Sequence, residues 1–171
     1  MKVITVLEPW ASLIACGAKK IETRSWATKY RGKIAIHAAA KHTKLQFKEP
    51  YHDALSKYYN LHVPCSADEM PYGCVIAIAD LVDCLQVVDS YVGLVPGGVI
   101  SKKAYLSDRR VIFGNELIFG NYPVGGYAWI LENIQRIEHI PARGQQRIWN
   151  LNVPALKLAA WHSEFLGGTE K

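Results

Sequence analysis

Near the N-terminus, the spacing of the hydrophobic residues changes from one typical of a strand to one typical of a helix. Residues 2–7 form a short strand-like run, and Trp10, Leu13 and Ile14 then recur at the i, i+3 and i+4 positions that share one face of an α-helix. Gly17 follows this run and is placed to end the helix in the left-handed conformation that glycine adopts readily. The pattern predicts a strand, a short amphipathic helix and a glycine cap.

A second strand is predicted directly after the cap. Residues 20–26 are typical of extended chain, and alternate side chains of a strand point to the same face. Glu22, Arg24 and Trp26 should therefore share one face, while Thr23 points to the other. The pattern thus predicts a strand that carries two opposite charges and an indole on one side.

Three further strands follow from the apolar pattern. Residues 33–38 alternate, with His37 on the face opposite the isoleucines, and residues 74–85 form a nearly continuous apolar run of the kind covered on both faces. Residues 126–140 predict a long strand in which Trp129 packs into the core. These strands should supply most of the sheet.

The remaining segments give weaker patterns. Residues 43–60 are helical in pattern but interrupted by Pro50, residues 61–72 are typical of a loop, and residues 149–158 predict one or two short final strands. Residues 86–125 carry turn signals and basic pairs but no clear periodicity.

The order of these elements indicates the fold class. The strands do not alternate regularly with helices, which argues against a parallel βαβ arrangement. We expect an α+β protein built as a small, mostly antiparallel β-barrel with attached helices. The 171 residues suit one domain, which we place at residues 1–166, with a frayed tail at 167–171.

Composition excludes several classes of protein. Half of the residues are hydrophobic and 20% are charged, which argues against disorder. No apolar run approaches the roughly 20 residues of a membrane-spanning helix, and no secretory signal pattern is present. We therefore expect no membrane association and a cytoplasmic location.

Cysteine and histidine spacing gives no metal or cofactor motif. The four cysteines are Cys16, Cys65, Cys74 and Cys84, and none forms a C-x-x-C pair, which favours small buried thiols in a reducing compartment. The six histidines lack metal-ligand spacing, and no phosphate-binding or dinucleotide-binding glycine motif occurs. We expect neither a metal ion nor a cofactor.

Positive charge is concentrated in one stretch of the chain, residues 19–33. The net charge of +5 favours polyanionic partners weakly, but residues 19–33 concentrate six lysines and arginines against a single acid. Trp26 and Tyr30 are interleaved with these cations, and the combination suits phosphates and base faces. A solvated basic hairpin with two partly buried aromatic residues fits the pattern equally well. The candidate nucleic-acid-binding residues are Lys19, Glu22, Arg24, Trp26, Lys29, Tyr30, Arg31 and His37.

The stretch also matches a family motif. The string G-x-K-x-x-E-x-R runs from Gly17 to Arg24, follows a P-W-A helix start and precedes an Arg31-Gly32 strand. This arrangement resembles the ASCH domain, named for activating signal cointegrator homology. The resemblance implies a barrel of the PUA type, with a cleft between the first helix and the barrel that is lined by the motif, and a role in RNA binding. Against the family pattern, residues 43–72 and 86–125 resemble insertions.

The resemblance also admits enzymatic functions. One bacterial ASCH group hydrolyses acetylated cytidine with a lysine and a threonine three residues later, and another member is a ribonuclease. Lys19 matches that lysine, but Glu22 occupies the position of the threonine, and Thr23 lies one place away. A hydrolase would use Lys19 as its base and Glu22 to polarise water or act as acid.

Three functions therefore remain open at this point. The first is a module that binds RNA, another nucleic acid, or a nucleotide or modified nucleoside in a basic, aromatic-lined cleft. The second is a hydrolase of RNA or of a modified nucleoside. The third is a protein-interaction module whose basic face meets an acidic partner.

Overall fold

The computed structural model describes residues 1–41, 70–95 and 99–152, with the side chains of 94, 95 and 99–101 excepted. The predictions for residues 43–60, for most of the 61–72 loop and for the C-terminal tail lie outside the described residues. Within them, the elements follow one another as β1 (Lys2–Val6), α1 (Trp10–Ala15), β2 (Ile21–Arg24), β3 (Gly32–Ala38), β4 (Cys74–Val95), β5 (Val99–Leu106), β6 (Val111–Ile112), α2 (Asn115–Phe119), β7 (Tyr127–Pro141) and β8 (Ile148–Asn150).

The described strands form a sheet that is mostly antiparallel, as predicted. The order along the sheet is β2-β7-β4-β3-β1-β8, and β1 and β3 are its parallel pair. The outer part of β4 pairs with β5, and β5 pairs with the short β6. Strand content dominates, and the two described helices are only six and five residues long.

The predicted closed barrel is wrong for the described part of the chain. The sheet is open, because β2 and β8 form its two ends and no backbone ladder joins them. Three register shifts between β4 and β7 mark places where the strands bend, as β-bulges do. Strand β2 approaches β1 through a side chain instead, since Arg24 Nη2 donates to the Thr5 carbonyl at 2.7 Å. The missing strand pairing leaves a gap between β1 and β2.

The two faces of β3 pack against different clusters, as its alternation predicts. Ile34 and Ile36 join the main core with Trp129, whereas Ala35 packs on the other side with Trp149. Trp129 is fully buried, which confirms its predicted place in the core, and Trp149 is also buried. Burial on both faces explains why β3 and the first half of β4 carry so many apolar residues.

The described residues of segment 86–125 form strands and a short helix that the sequence pattern did not predict. Strand β4 continues to Val95 and returns as β5, so the two form a long hairpin; residues 86–95 and 99–106 are called the arm below. The base of the arm packs into a second core with Ile21 and Tyr122. Gly114, with φ of 63°, stands at the start of α2 in a conformation that favours glycine.

A carboxyl group is buried at the start of α1. Glu8 is wholly inaccessible to solvent, and its two carboxyl oxygens accept hydrogen bonds from Ser12 N at 3.0 Å and Ser12 Oγ at 2.9 Å. Burial raises the pKa of Glu8 from 4.5 to about 7, because loss of hydration outweighs the two bonds from Ser12.

The raised pKa of Glu8 predicts a pH-dependent stability. The folded state binds this proton more tightly than the unfolded chain, so the group's contribution is complete below its unfolded pKa and is lost as the pH rises through about 7. The loss should amount to about 3 kcal/mol. Glu8→Gln should remove it, and urea denaturation of both proteins between about pH 4.5 and pH 8 measures the difference. A difference in the free energy of unfolding that stays constant with pH would contradict the assignment.

Candidate functional site

The gap between β1 and β2 opens into a cavity of about 290 Å³. The end of β1 and the start of α1 form one wall, β2 forms the floor, and the residues at the end of α2 form the opposite wall. The lining residues are Thr5, Val6, Leu7, Trp10, Lys19, Glu22, Thr23, Arg24, Ile118, Phe119, Gly120 and Asn121. The cavity thus lies between the start of α1, β2 and the end of α2.

The turn after α1 places Lys19 at the floor of this cavity. Gly17 takes a φ of 80° and donates to Ile14 O at 2.8 Å, and Lys19 N donates to Leu13 O at 3.0 Å. The side chain of Lys19 is only 1% exposed. Its ammonium donates to the Ile21 carbonyl and lies 3.7 Å from Glu22 Oε2. A lysine buried to this degree requires such partners, because an isolated buried charge is strongly unfavourable.

Glu22 joins the buried lysine to Arg24. Glu22 Oε1 lies 3.1 Å from Arg24 Nη2, and the Glu22 side chain is 10% exposed. Lys19, Glu22 and Arg24 are called the ion cluster below. The predicted sharing of one strand face by Glu22 and Arg24 is consistent with this contact. The cluster holds two cations and one carboxylate, and Glu116 of α2 is a second carboxylate that interacts with Lys19.

Arg24 is the member of the ion cluster that is most open to the cleft. Its side chain is 24% exposed, and one nitrogen is held by the Thr5 carbonyl and Glu22. Arg24 Nε is buried with no hydrogen-bond partner among the described residues. Two acceptors fix the direction of this guanidinium, and it has further N–H donors that they do not use. Such a group suits the recognition of an anion or a base edge.

The sequence pattern did not single out Glu116 of α2 or Tyr122, which follows α2. Glu116 of α2 accepts a hydrogen bond from Lys20 N, which ties α2 to the start of β2. Burial raises the pKa of Glu116, and burial together with the charges of Glu116 and Glu22 raises the pKa of Tyr122. The contact positions Ile118 beside the cavity. Glu116 lies in segment 86–125, whose sequence shows no clear periodicity. The one sequence signal for Glu116 is that an acidic side chain is favoured in the first turn of a helix.

Trp26 lies on one flank of the cavity, in a second depression of about 360 Å³. The depression shares Thr5, Leu7 and Arg24 with the cavity, and it is completed by Trp26, Ala39, Gln145, Gln146 and Arg147. Trp26 packs edge-on against Trp129 at 4.7 Å between ring centroids. The Arg147 guanidinium carbon lies 5.6 Å from the Trp26 ring centroid, within the range of a cation–π contact.

The structure does not bring the later cations of the basic stretch into the cavity. Arg31 pairs with Asp83 at 3.0 Å, and Lys33 pairs with Asp80 at 3.4 Å on the neighbouring strand. Lys29 is exposed and lines neither depression. The sequence stretch 19–33 therefore divides into a cleft-lining half and a half that faces β4.

The two remaining candidates are held by structural contacts. Tyr30 donates its hydroxyl to the Lys33 carbonyl at 2.6 Å and packs against the main core. His37 is wholly buried, with Nε2 2.9 Å from the Ala142 carbonyl and its ring edge-on to Trp149. Gly144 lies so close that a Cβ there would fall 2.6 Å from His37 Cε1. His37 thus supports the wall behind Thr5 and does not line the cavity.

The described ranges contain no group of three or more His, Cys, Asp or Glu side chains that could hold a metal ion. No helix in those ranges is long and apolar enough to span a membrane. Cys16, Cys74 and Cys84 are free thiols, and Cys65 lies outside the described residues.

Comparisons with known proteins converge on the family indicated by the motif. The family model of the ASCH domain matches residues 4–141. Activating signal cointegrator 1 of Homo sapiens is 36% identical over 87 residues, and the protein of that name from Mus musculus is 34% identical over 87 residues. Each match covers 48% of this chain but only 14% of the relative, so the similarity concerns a small part of those longer proteins.

Proposed function

This chain belongs to the ASCH domain family, and from that premise we propose that it binds RNA by accepting one nucleotide in the cavity between α1 and β2. The observation that carries the proposal is the ion cluster at the cavity floor. Lys19 and Glu22 fix the surroundings of Arg24, and Arg24 meets the ligand. A preorganised guanidinium binds phosphate or a base edge without first losing conformational freedom.

The size and lining of the cavity support a single nucleotide. Its volume of about 290 Å³ lies at the lower end of the range for small-molecule sites, roughly 300–1,000 Å³. Trp10 and Ile118 contribute apolar surface for a base, while Glu22 offers acceptors of the kind that bind the amino group of cytosine. A base can enter such a cavity only when it is unstacked, as in single-stranded RNA.

Trp26 supplies the stacking surface of the proposed site. It lies in the flanking depression that shares Arg24 with the cavity, and one side of its ring is approached by Arg147. Aromatic rings and guanidinium groups both stack on bases whatever the sequence, and each stacked base contributes about 1–3 kcal/mol. The neighbouring nucleotide of a bound strand would therefore lie on this flank.

A hydrolase is the second candidate, because one observation favours it. An ammonium and a carboxylate, those of Lys19 and Glu22, line the same cavity 3.7 Å apart, as an acid and a base of a hydrolytic site would. Against it, Lys19 Nζ is already engaged by the Ile21 carbonyl and by Glu22, and its side chain is only 1% exposed. The hydroxyl of Thr23 accepts from Asn121 N at 3.3 Å, so it is engaged by the opposite wall.

The proposal is tested by equilibrium binding of the whole chain. Single-stranded RNA of about ten nucleotides should bind with a negative slope of log affinity against log salt, about 0.7 for each phosphate contact. Double-stranded RNA of the same length should bind more weakly, because its bases are not free to enter the cavity. Absence of RNA binding at low salt, or equal affinity for the duplex, would contradict the proposal.

A further inference from the structure

We propose that the arm and α2 extend the cavity into a track for an extended single strand of RNA, with Lys102 of the arm as a phosphate-binding residue at its far end. The inference rests on the proposed function, because the central nucleotide must occupy the cavity for the track to be used. It adds a binding site in segment 86–125, outside the sequence motif.

The track is made of three depressions that share walls. The cavity shares Arg24 with the flank of Trp26 and Arg147 on one side. On the other side it shares Ile118 and Gly120 with a third depression of about 570 Å³, which Lys102, Gly114 and Leu117 also line among the described residues. A strand that leaves the cavity past the end of α2 therefore comes directly to Lys102.

The register of the arm decides which lysine faces the track. Side chains of β5 alternate, so Lys102 shares a face with the buried Ala104 and Leu106, while Lys103 shares the opposite face with Tyr105. Lys102 lines the third depression and Lys103 does not. Both lysines are exposed, and the ion pairs of the described residues include neither of them.

The surroundings of Lys102 suit a nucleotide. Val92 stands opposite Lys102 in the hairpin and is 67% exposed, and Ile118 offers further apolar surface at 48% exposure. An ammonium beside exposed apolar groups can bind a phosphate while the base covers the apolar surface. On the other face, Asp89 stands opposite Tyr105 next to Lys103, and its carboxylate weakens the attraction of that face for an anion.

The chain provides its own matched control in the two adjacent lysines. Lys102→Ala should weaken binding of single-stranded RNA of about ten nucleotides by about three- to fivefold at low salt, and should flatten the salt slope by about 0.7. Lys103→Ala removes the same charge one position away and should leave both quantities unchanged. The difference between the variants should shrink for RNA of about three nucleotides, since so short a strand can be bound without the far end of the track.

The outcomes separate the track from the central site. Arg24→Ala should weaken the binding of both lengths of RNA. If Arg24→Ala weakens binding but Lys102→Ala and Lys103→Ala have equal effects on the longer RNA, the track is wrong and the central site stands. If the wild type binds neither RNA, the proposed function fails and the track fails with it. Thermal unfolding of the two lysine variants should match that of the wild type, because both side chains are exposed.

Discussion

Replacing Arg24 with alanine should weaken the binding of short single-stranded RNA by about 1.5–3 kcal/mol, a loss of roughly 10- to 150-fold in affinity. Arg24 is the exposed member of the ion cluster, and Thr5 and Glu22 hold its guanidinium in a fixed direction. The variant removes both the charge and the oriented donors. Fluorescence anisotropy of labelled RNA at fixed salt measures the change.

Two comparison variants make the Arg24 result specific. Arg31→Ala removes the same charge from the same basic stretch, but Arg31 is paired with Asp83 outside the cleft, so the affinity should stay within about twofold. Arg24→Lys keeps the charge but loses the planar set of guanidinium donors. Its RNA affinity should therefore lie between that of the wild type and that of Arg24→Ala. Equal losses in Arg31→Ala and Arg24→Ala would mean that general charge, and not the cleft, governs binding.

Glu22→Gln should produce the largest loss of stability. The substitution leaves the ammonium of Lys19, which is 1% exposed, facing a neutral amide. Breaking a buried ion pair from one side costs about 3–5 kcal/mol, and the near-isosteric glutamine, which keeps an acceptor, should place the loss near the lower value. RNA affinity should also fall by about 1–3 kcal/mol, because Arg24 loses its partner. Chemical denaturation and RNA titration measure the two effects.

The same variant separates binding from catalysis. Glu132→Gln serves as the control, because Glu132 is an exposed carboxylate on β7 and its loss should change neither stability nor binding. Neither the wild type nor the Glu22 variant should release product from acetylated cytidine, other modified nucleosides or short RNA. Wild-type turnover that falls about 10²–10⁴-fold in Glu22→Gln, with binding retained, would establish the hydrolase instead.

The first part of the fold could be predicted because its information is local. The apolar spacing and Gly17 define α1 and its end, and alternation along β2 places Glu22 and Arg24 on one side. The same alternation along β3 separates Ile36 from His37. These features depend on residues that are close together in the sequence, so local sequence patterns are enough to predict them.

Closure of the sheet could not be predicted in the same way. Whether the ends of a sheet meet depends on how far each strand bends, and the bends lie at register shifts between β4 and β7. Those shifts are set by pairing between residues that are far apart in sequence. Hydrophobic periodicity cannot locate these shifts. The sequence therefore predicted a barrel, whereas the described sheet is open and has a cleft.

The composition of the cleft depended on long-range contacts as well. Lys33 meets Asp80 and Arg31 meets Asp83 only because β3 pairs with β4 in one register, and this pairing directs two cations away from the site. Glu116 reaches Lys20 across 96 positions of sequence and so brings α2 to the cavity. A charge count over residues 19–33 could not distinguish these cases.

The most direct test of the central claim is to map the RNA contact by backbone amide chemical shifts during titration with single-stranded RNA of about ten nucleotides. The largest changes should fall within residues 5–10, 19–24 and 118–121, the three segments that contribute the cavity lining, with smaller changes at 145–147 and 102. Changes confined to residues 29–33 and the facing part of β4, with the cavity residues unaffected at saturation, would contradict the claim.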